Sequence, residues 1–435
     1  MEPITAGVLG TILLVVLLLM GMPIAFMMML VGFLGIWWLA SLGAALPVIA
    51  QTVYSVASHY PYTIIPLFII MGSIASEAGI TRELYATFDK WFRRLPGGLG
   101  VATIAACAGF AAVSGSSVAA TAAMGNVALP EMRRFGYAPR LATGVVAAGG
   151  TLSFLIPPSL GFVVYGMLTE QSIGKLLISG ILPGLLLSAA YSLVVIGWAR
   201  INPALAPSPH DRVPFKEKLS ALKGIWETAL VFFIVMGGIY LGFINPAEAG
   251  AVGAFALFII LMLKGRLRWP AVASCLLEAT RITVMVLFLV AGATVFSYFL
   301  ALSTIPTQVS AWIAGLEASR YVILAIIIVI YFFLGCFLDA ISMMVLTLPV
   351  VFPVIVSLNF HPIWFGVVAI LMMEAGLITP PVGLNVYTLA GIAKDVPMVE
   401  IFKGATPFLI AIVATAVILT FFPKIALYLP SLMGT

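Results

Sequence analysis

The residues able to do chemistry are few and mostly small. Ser114, Ser116 and Ser117 surround Gly115 inside residues 98–130, a stretch without a single charge. Gly150, Thr151 and Ser153 precede the pair Pro157-Pro158, and Ser159 follows it. A second set comprises Gly335, Cys336 and Asp339, then Gly376 and Thr379 before Pro380-Pro381, with Asn385 beyond. Hydroxyls, a carboxylate and carbonyls released from a helix are hard oxygen donors that suit a cation such as Na⁺, whereas helix N-termini suit an anion. The cation-binding candidates are therefore Ser114, Ser116 and Ser117 with Gly150, Thr151 and Pro157, and Gly335, Cys336 and Asp339 with Gly376, Thr379 and Pro380. Ser153, Ser159 and Asn385 are the candidate substrate contacts.

These residues must be positioned by broken helices. Residues 149–165 lie within a long apolar segment, yet Pro157 and Pro158 remove two backbone donors and push the preceding residue out of helix. In hydrocarbon, freed N–H and C=O groups need partners, so irregular backbone persists only where it is buried in protein or lines a polar cavity. Residues 376–387 repeat the break 223 residues later. Pro23 with Pro246, and Pro130 with Pro353, keep the same offset. The pattern predicts two structural repeats, 1–200 and 224–435, joined by a polar cytoplasmic linker at 201–223. Matching interruptions in two halves point to a transporter's binding site.

Composition sets the class. The chain is 63% hydrophobic and 9% charged, against about 25% charged in soluble proteins. It is a polytopic, all-α membrane protein. Spans are expected at 4–20, 24–42, 63–80, 173–198, 224–243, 247–263, 282–302 and 404–423. Residues 43–62 read as a connector. Residues 81–95 and 305–319 read as amphipathic helices in the interface, the second carrying Val309, Trp312, Ile313 and Leu316. Residues 98–131 are too long for one span of about 20 residues and too short for two with a turn. They read as a re-entrant hairpin, and 321–357 reads as a second. The broken spans are 141–170 and 362–391. Basic residues favour the cytoplasm. With both hairpins re-entrant there are ten crossings and both termini lie outside. Of the 21 Lys and Arg, only Lys175, Arg320 and Lys424 then fall outside. Counting each hairpin as one crossing splits the charges almost evenly. Five crossings per repeat would invert the second repeat relative to the first.

Other classes are disfavoured. There is no Walker A sequence, no His-Glu-x-x-His and no convincing Ser-His-Asp set, so an enzyme or ATP-driven pump is not expected. The net charge of +5 comes from basic span ends and is no nucleic-acid signal. Cys107, Cys275 and Cys336 are scattered, which argues against a disulfide framework or a zinc site, and Cys107 and Cys275 fit packing. The N-terminus does not resemble a cleaved signal peptide. His59, His210 and His361 fall in connectors, which disfavours a histidine proton relay. Asp339 and Glu374 are the main acids at predicted depth. Burying an acid there costs about 2.5–3.5 kcal/mol on insertion scales, so a function or specific partner is the default. No Lys or Arg is expected at mid-depth, so an anionic substrate would be held by dipoles, hydroxyls, amides and bound cations.

The paired hairpins and Pro-Pro breaks, with the wording of Ala105–Arg134 and Gly149–Gly184, resemble the large membrane subunit of tripartite ATP-independent periplasmic (TRAP) transporters over essentially the whole chain. The resemblance implies an elevator-type, Na⁺-driven importer of organic acids, usually carboxylates, in the bacterial inner membrane. It implies a periplasmic substrate-binding protein and a small four-helix membrane subunit, here expected on a separate chain. Carried over by position, one Na⁺ site uses Ser114, Gly115, Ser116 and Ser117 with the break from Gly150 to Pro158. The other uses Gly335–Asp339 with Gly376–Pro380. Two alternatives stand beside it: a stand-alone dicarboxylate or citrate carrier of the same superfamily, and a non-coupled channel or scaffold.

Overall fold

The computed structural model describes residues 2–207, 213–315 and 318–433. His210, Arg212 and Leu316 lie outside the described residues. Those described are helical, with turns and no strand. Five helices are long and apolar enough to cross a membrane, and three bent pairs raise this to eight, by length and composition. Large apolar side chains such as Leu19, Trp38, Phe233 and Phe243 are exposed on the outer helices, as a lipid-facing surface requires.

Two helical hairpins occupy the two expected hairpin segments. Gly98–Ser114 and Ser117–Arg134 meet at Gly115, whose φ of 69° is a left-handed conformation that glycine adopts without strain. Arg320–Gly335 and Ala340–Ser357 form the second. Each second arm starts on a side-chain cap. Ser116 Oγ accepts from the Ala119 N–H at 3.4 Å, and Asp339 Oδ1 accepts from Ile341 N and Ser342 N, both at 3.1 Å. Ser116 and Asp339 are separated by the same 223 positions as the prolines.

The breaks lie where the proline pairs predict. Pro139–Leu155 and Leu160–Thr169 are bent by 41°. Pro362–Leu377 is followed, after a turn, by Leu384–Ile392. Both helices begin on a proline, whose missing N–H would be unbonded there anyway. Every residue from Leu141 to Leu155 and from Ile363 to Leu377 is buried. These two half-spans are the centre of the molecule, with Met398–Phe421 packed against the first of them.

Several elements differ from expectation. Residues 43–62 are not an open connector. Leu42–Ser58 is a helix that continues through Tyr60–Thr63 into Ile64–Glu77 after a 55° bend. The counterpart stretch is one continuous helix, Trp269–Ser303, reaching back beyond the predicted 282–302. After Pro270 no proline interrupts it, so Glu278 and Arg281 ride on a helix that the hydropathy pattern alone would have ended. The last span begins earlier, at Met398, and a further helix, Lys424–Ser431, follows it. The described end of the polar linker is packed on the first half. Its helix Phe215–Ala221 lies on the amphipathic helix Ile80–Phe92. Trp91 Nε1 donates to Lys218 O at 3.0 Å, and Thr87 Oγ1 donates to Ala221 O at 2.9 Å. Nearby, Lys264 Nζ contacts Glu83 Oε1 at 2.8 Å and Glu227 Oε2 at 2.7 Å. Arg133, ending the first hairpin, contacts Asp395 Oδ1 at 2.7 Å beyond the second broken span, and holds that carboxyl below its usual range.

Small residues let the central helices touch through backbone. A Cβ on Gly404 would stand 2.0 Å from Arg140 O, and one on Gly144 would stand 2.2 Å from Gly404 O. Close approach through small residues is how helices associate where no hydrophobic force separates protein from lipid. Gly404→Ala must therefore part the helices. The expected loss is about 1–3 kcal/mol, as for overpacked cores. Melting of the purified protein should fall for Gly404→Ala and stay unchanged for Gly197→Ala, which meets open space.

Candidate functional site

A polar cavity of about 270 Å³ lies between the first hairpin and two outer helices. Ile64–Glu77 contributes Ser73, Ser76 and Glu77, and Trp269–Ser303 contributes Ser274, Cys275 and Glu278. Ser73 Oγ donates to Glu278 Oε2 at 2.9 Å across this wall. The opposite wall is the hairpin, with Ser114, Ser116, Ala119 and Asn126, and Leu160 at the start of the second half of the broken span. Two helix N-termini, at Ser117 and Leu160, therefore border the same cavity. Helix N-termini carry positive potential, and no Lys or Arg contributes to the lining.

The tip of the first hairpin is seated in the first break. The Leu160 N–H donates to Gly115 O at 3.4 Å. A Cβ on Gly115 would stand 2.7 Å from Pro158 O, and one on Gly150 would stand 1.8 Å from Thr121 Oγ1 and 3.0 Å from Ser117 O. The structure thus brings Ser114–Ser117 together with Gly150 and Pro158. Thr151 Oγ1 lies 2.9 Å from Tyr191 Oη and donates to Ala148 O at 2.6 Å, so its hydroxyl is engaged with Ile181–Ile201. Pro157 is buried in the break.

The second tip repeats the contact. A Cβ on Gly376 would stand 2.2 Å from the Gly335 carbonyl carbon, and the Val382 N–H donates to Cys336 O at 3.3 Å. The Cys336 thiol lies 3.3 Å from Phe332 O, and Thr379 Oγ1 donates to Ala375 O at 2.7 Å. Pro380 is exposed on the turn. Gly335, Cys336, Asp339 and Gly383 border a cavity of about 250 Å³. Asp339 Oδ1 is committed to its helix cap.

The three substrate-contact candidates are fully buried, and none of them lines the cavity. Ser159 Oγ donates to Phe154 O and accepts from Phe162 N at 3.4 Å, closing the break. Ser153 Oγ has no partner. Asn385 Nδ2 donates to Ala147 O at 3.2 Å, leaving Oδ1 unpartnered. Sequence reasoning missed Ser73, Ser76, Glu77, Ser274 and Glu278. Their signal was present as polar residues three and four apart on one face of an apolar helix. Arg281 was also missed. It lies on Trp269–Ser303, beside Pro23, Met285 and Ser342 at an apolar crevice.

Residues 11–425 match the family described as tripartite ATP-independent periplasmic transporter, DctM component. The chain belongs to this family. The TRAP large permease described here is 35% identical, over 390 residues, to the C4-dicarboxylate TRAP transporter large permease protein DctM of Pseudomonas aeruginosa, spanning 89% of this chain and 90% of the relative. It is 28% identical over 417 residues to the sialic acid TRAP transporter large permease protein SiaM of Vibrio cholerae, spanning 96% of each. Among solved structures, the YdaH transporter of Alcanivorax borkumensis superposes with a TM-score of 0.66 over 89% of this chain and 90% of that chain, at 13% identity. That likeness concerns fold alone.

Cap and charge at Asp339 can be separated. Asn caps a helix about as well as Asp, whereas Ala forfeits about 0.5–2 kcal/mol. In the TRAP permease, Asp339→Ala should lower the melting temperature and Asp339→Asn should not. A loss of transport in the stable Asn variant would mark a role for the charge; full transport would leave the residue a cap.

Proposed function

We propose that this TRAP permease imports an organic acid into the bacterial cell, driven by Na⁺. A periplasmic binding protein delivers the substrate, and a small four-helix subunit accompanies the permease in the inner membrane. In this reading residues 1–200 and 224–435 are inverted repeats, and both termini face the periplasm. The two hairpins and two broken spans move together as an elevator against the outer helices. The carrying observation is the 270 Å³ cavity, which has helix N-termini on the hairpin wall and a serine and glutamate face on the outer-helix wall.

The chemistry follows from the two walls. A carboxylate is favoured beside the N-termini of the helices that start at Ser117 and Leu160, as anions are at helix N-termini. Glu77 and Glu278 suit a hydroxyl or ammonium group elsewhere on the substrate and disfavour a second carboxylate at their end. Relatives named for C4-dicarboxylate and for sialic acid support an organic acid as the substrate class. Na⁺ fits the donors at both tips. On the first side these are Ser114, Gly115, Ser116 and Ser117 with Gly150, Thr151, Pro157 and Pro158. On the second they are Gly335, Cys336 and Asp339 with Gly376, Thr379 and Pro380. Buried oxygens without partners, among them Thr121 Oγ1 and Glu374 Oε1, support cation binding close to the first tip. Bound Na⁺ supplies positive charge beside an anion that no basic side chain in the cavity meets.

The test is uptake into proteoliposomes holding the permease and its small subunit, with candidate carboxylates and binding protein outside. Uptake should require an inward Na⁺ gradient and the binding protein. Uptake with the gradient alone would point to a stand-alone carrier, and uptake indifferent to Na⁺ would remove ion coupling. Glu278→Gln should raise the rate for a dicarboxylate relative to a hydroxylated monocarboxylate.

A further inference from the structure

Glu374 is the most deeply buried carboxylate in the described chain, at 1% exposure on Pro362–Leu377. Ser117 Oγ donates to its Oε2 at 2.6 Å. No Lys, Arg or His pairs with it among the described residues, and Oε1 has no partner at all. A buried charge is ordinarily paired or bound to metal.

A second orphan oxygen lies beside the same serine. Thr121 is one helical turn beyond Ser117, and both are packed on Gly150. Four buried threonines, Thr103, Thr143, Thr169 and Thr415, return the hydroxyl to the carbonyl four residues back, while Thr81 and Thr228, like Thr121, have no partner. Thr121 Oγ1 makes no such bond and has no other partner. Gly150 presents only hydrogen to these oxygens, and a Cβ would collide with Thr121 Oγ1.

We propose that Glu374 and Thr121 are ligands of the first cation site, so that one monovalent cation is held by Glu374 Oε1, Thr121 Oγ1 and Ser117. The inference rests on the Na⁺ reading above. Its charge sets the valence. No group of three or more His, Cys, Asp or Glu that could hold a metal occurs among the described residues. One carboxylate with neutral oxygens balances one positive charge, whereas a divalent ion would leave net charge in a buried site. A proton would neutralise Glu374 but would leave Thr121 Oγ1 without a partner. Hard oxygen donors of this kind suit Na⁺.

The site joins the two halves of the transport machinery. Ser117 and Thr121 belong to the first hairpin. Glu374 belongs to the second broken span, two residues before Gly376, whose backbone is pressed on Gly335 of the second tip. A cation at Glu374 therefore orders the segment that shapes the second site, and filling one site favours filling the other.

The test uses the permease with its small subunit and two readouts: the Na⁺-induced rise in melting temperature, and the Na⁺ dependence of uptake. Wild type, Glu374→Gln and Thr121→Val are compared, with Na⁺ titrated against choline. Glu374→Gln keeps size and the bond to Ser117 and removes the charge. It should raise the Na⁺ concentration for half-maximal stabilisation by about tenfold or more, the scale on which metal sites respond to lost ligands or supporting groups. The Hill coefficient for Na⁺ in uptake should fall. Thr121→Val should shift the same midpoint less, and it carries the test should Glu374→Gln not fold. Unchanged midpoint and Hill coefficient in the variants overturn the proposal, as does an altered pH response with an unaltered Na⁺ midpoint. A wild type that ignores Na⁺ in both readouts overturns the Na⁺ reading itself.

Discussion

The arrangement depends on one constraint: backbone broken at membrane depth must be satisfied by protein. The Pro157-Pro158 break is closed by Ser159, which bonds to Phe154 O and caps Leu160–Thr169, and by the hairpin carbonyl of Gly115, which receives the Leu160 N–H. At the second break Cys336 O receives the Val382 N–H. Each hairpin tip thus supplies a carbonyl to the broken span it faces. The tips also bring side-chain oxygens with them, so the solution to a backbone problem creates a place rich in oxygen donors. Ordering these breaks inside the protein is what separates a binding site from a kinked helix.

Those contacts tie the two halves together at their centre. Ser117 bonds to Glu374 and Asn385 bonds to Ala147, each across more than half the chain. Gly144 and Gly404 bring Met398–Phe421 against the same bundle. The bundle faces the outer helices across a cavity whose walls differ in chemistry, helix N-termini on one side and Ser73, Glu77 and Glu278 on the other. Such a division suits an anionic group at one end of a substrate and neutral or cationic polar groups at the other.

Much of this was legible in the sequence because it rests on strong local rules. Stretches of awkward length, the first uncharged and the second charged only at Asp339, located both hairpins, and repeated proline pairs located both breaks. Ser116 and Asp339 show why single positions were harder: both are good caps and good cation ligands, and residue type does not separate the roles. Glu278 was hidden because it precedes the apolar run expected to span at 282–302, where a lone acid reads as lying outside the helix until the helix is seen to extend back to Trp269, whereas Glu77 closes its helix inside the expected span. Leu42–Ser58 was hidden for the opposite reason, since its mixed Gly, Ala, Ser and Pro content resembles a connector. The link from Ser117 to Glu374 depends on two distant segments meeting, which no spacing within either segment encodes.

The most direct test of the account is whether the cavity walls must move apart for transport. Ala119 on the hairpin wall and native Cys275 on the outer wall border the same cavity. In an Ala119→Cys variant otherwise lacking Cys107 and Cys336, a short reversible thiol cross-linker would join them. The account predicts that cross-linking stops Na⁺-driven uptake and that reductant restores it. Full uptake from a fully cross-linked population would contradict it, because the hairpin would then carry substrate without leaving the outer helices.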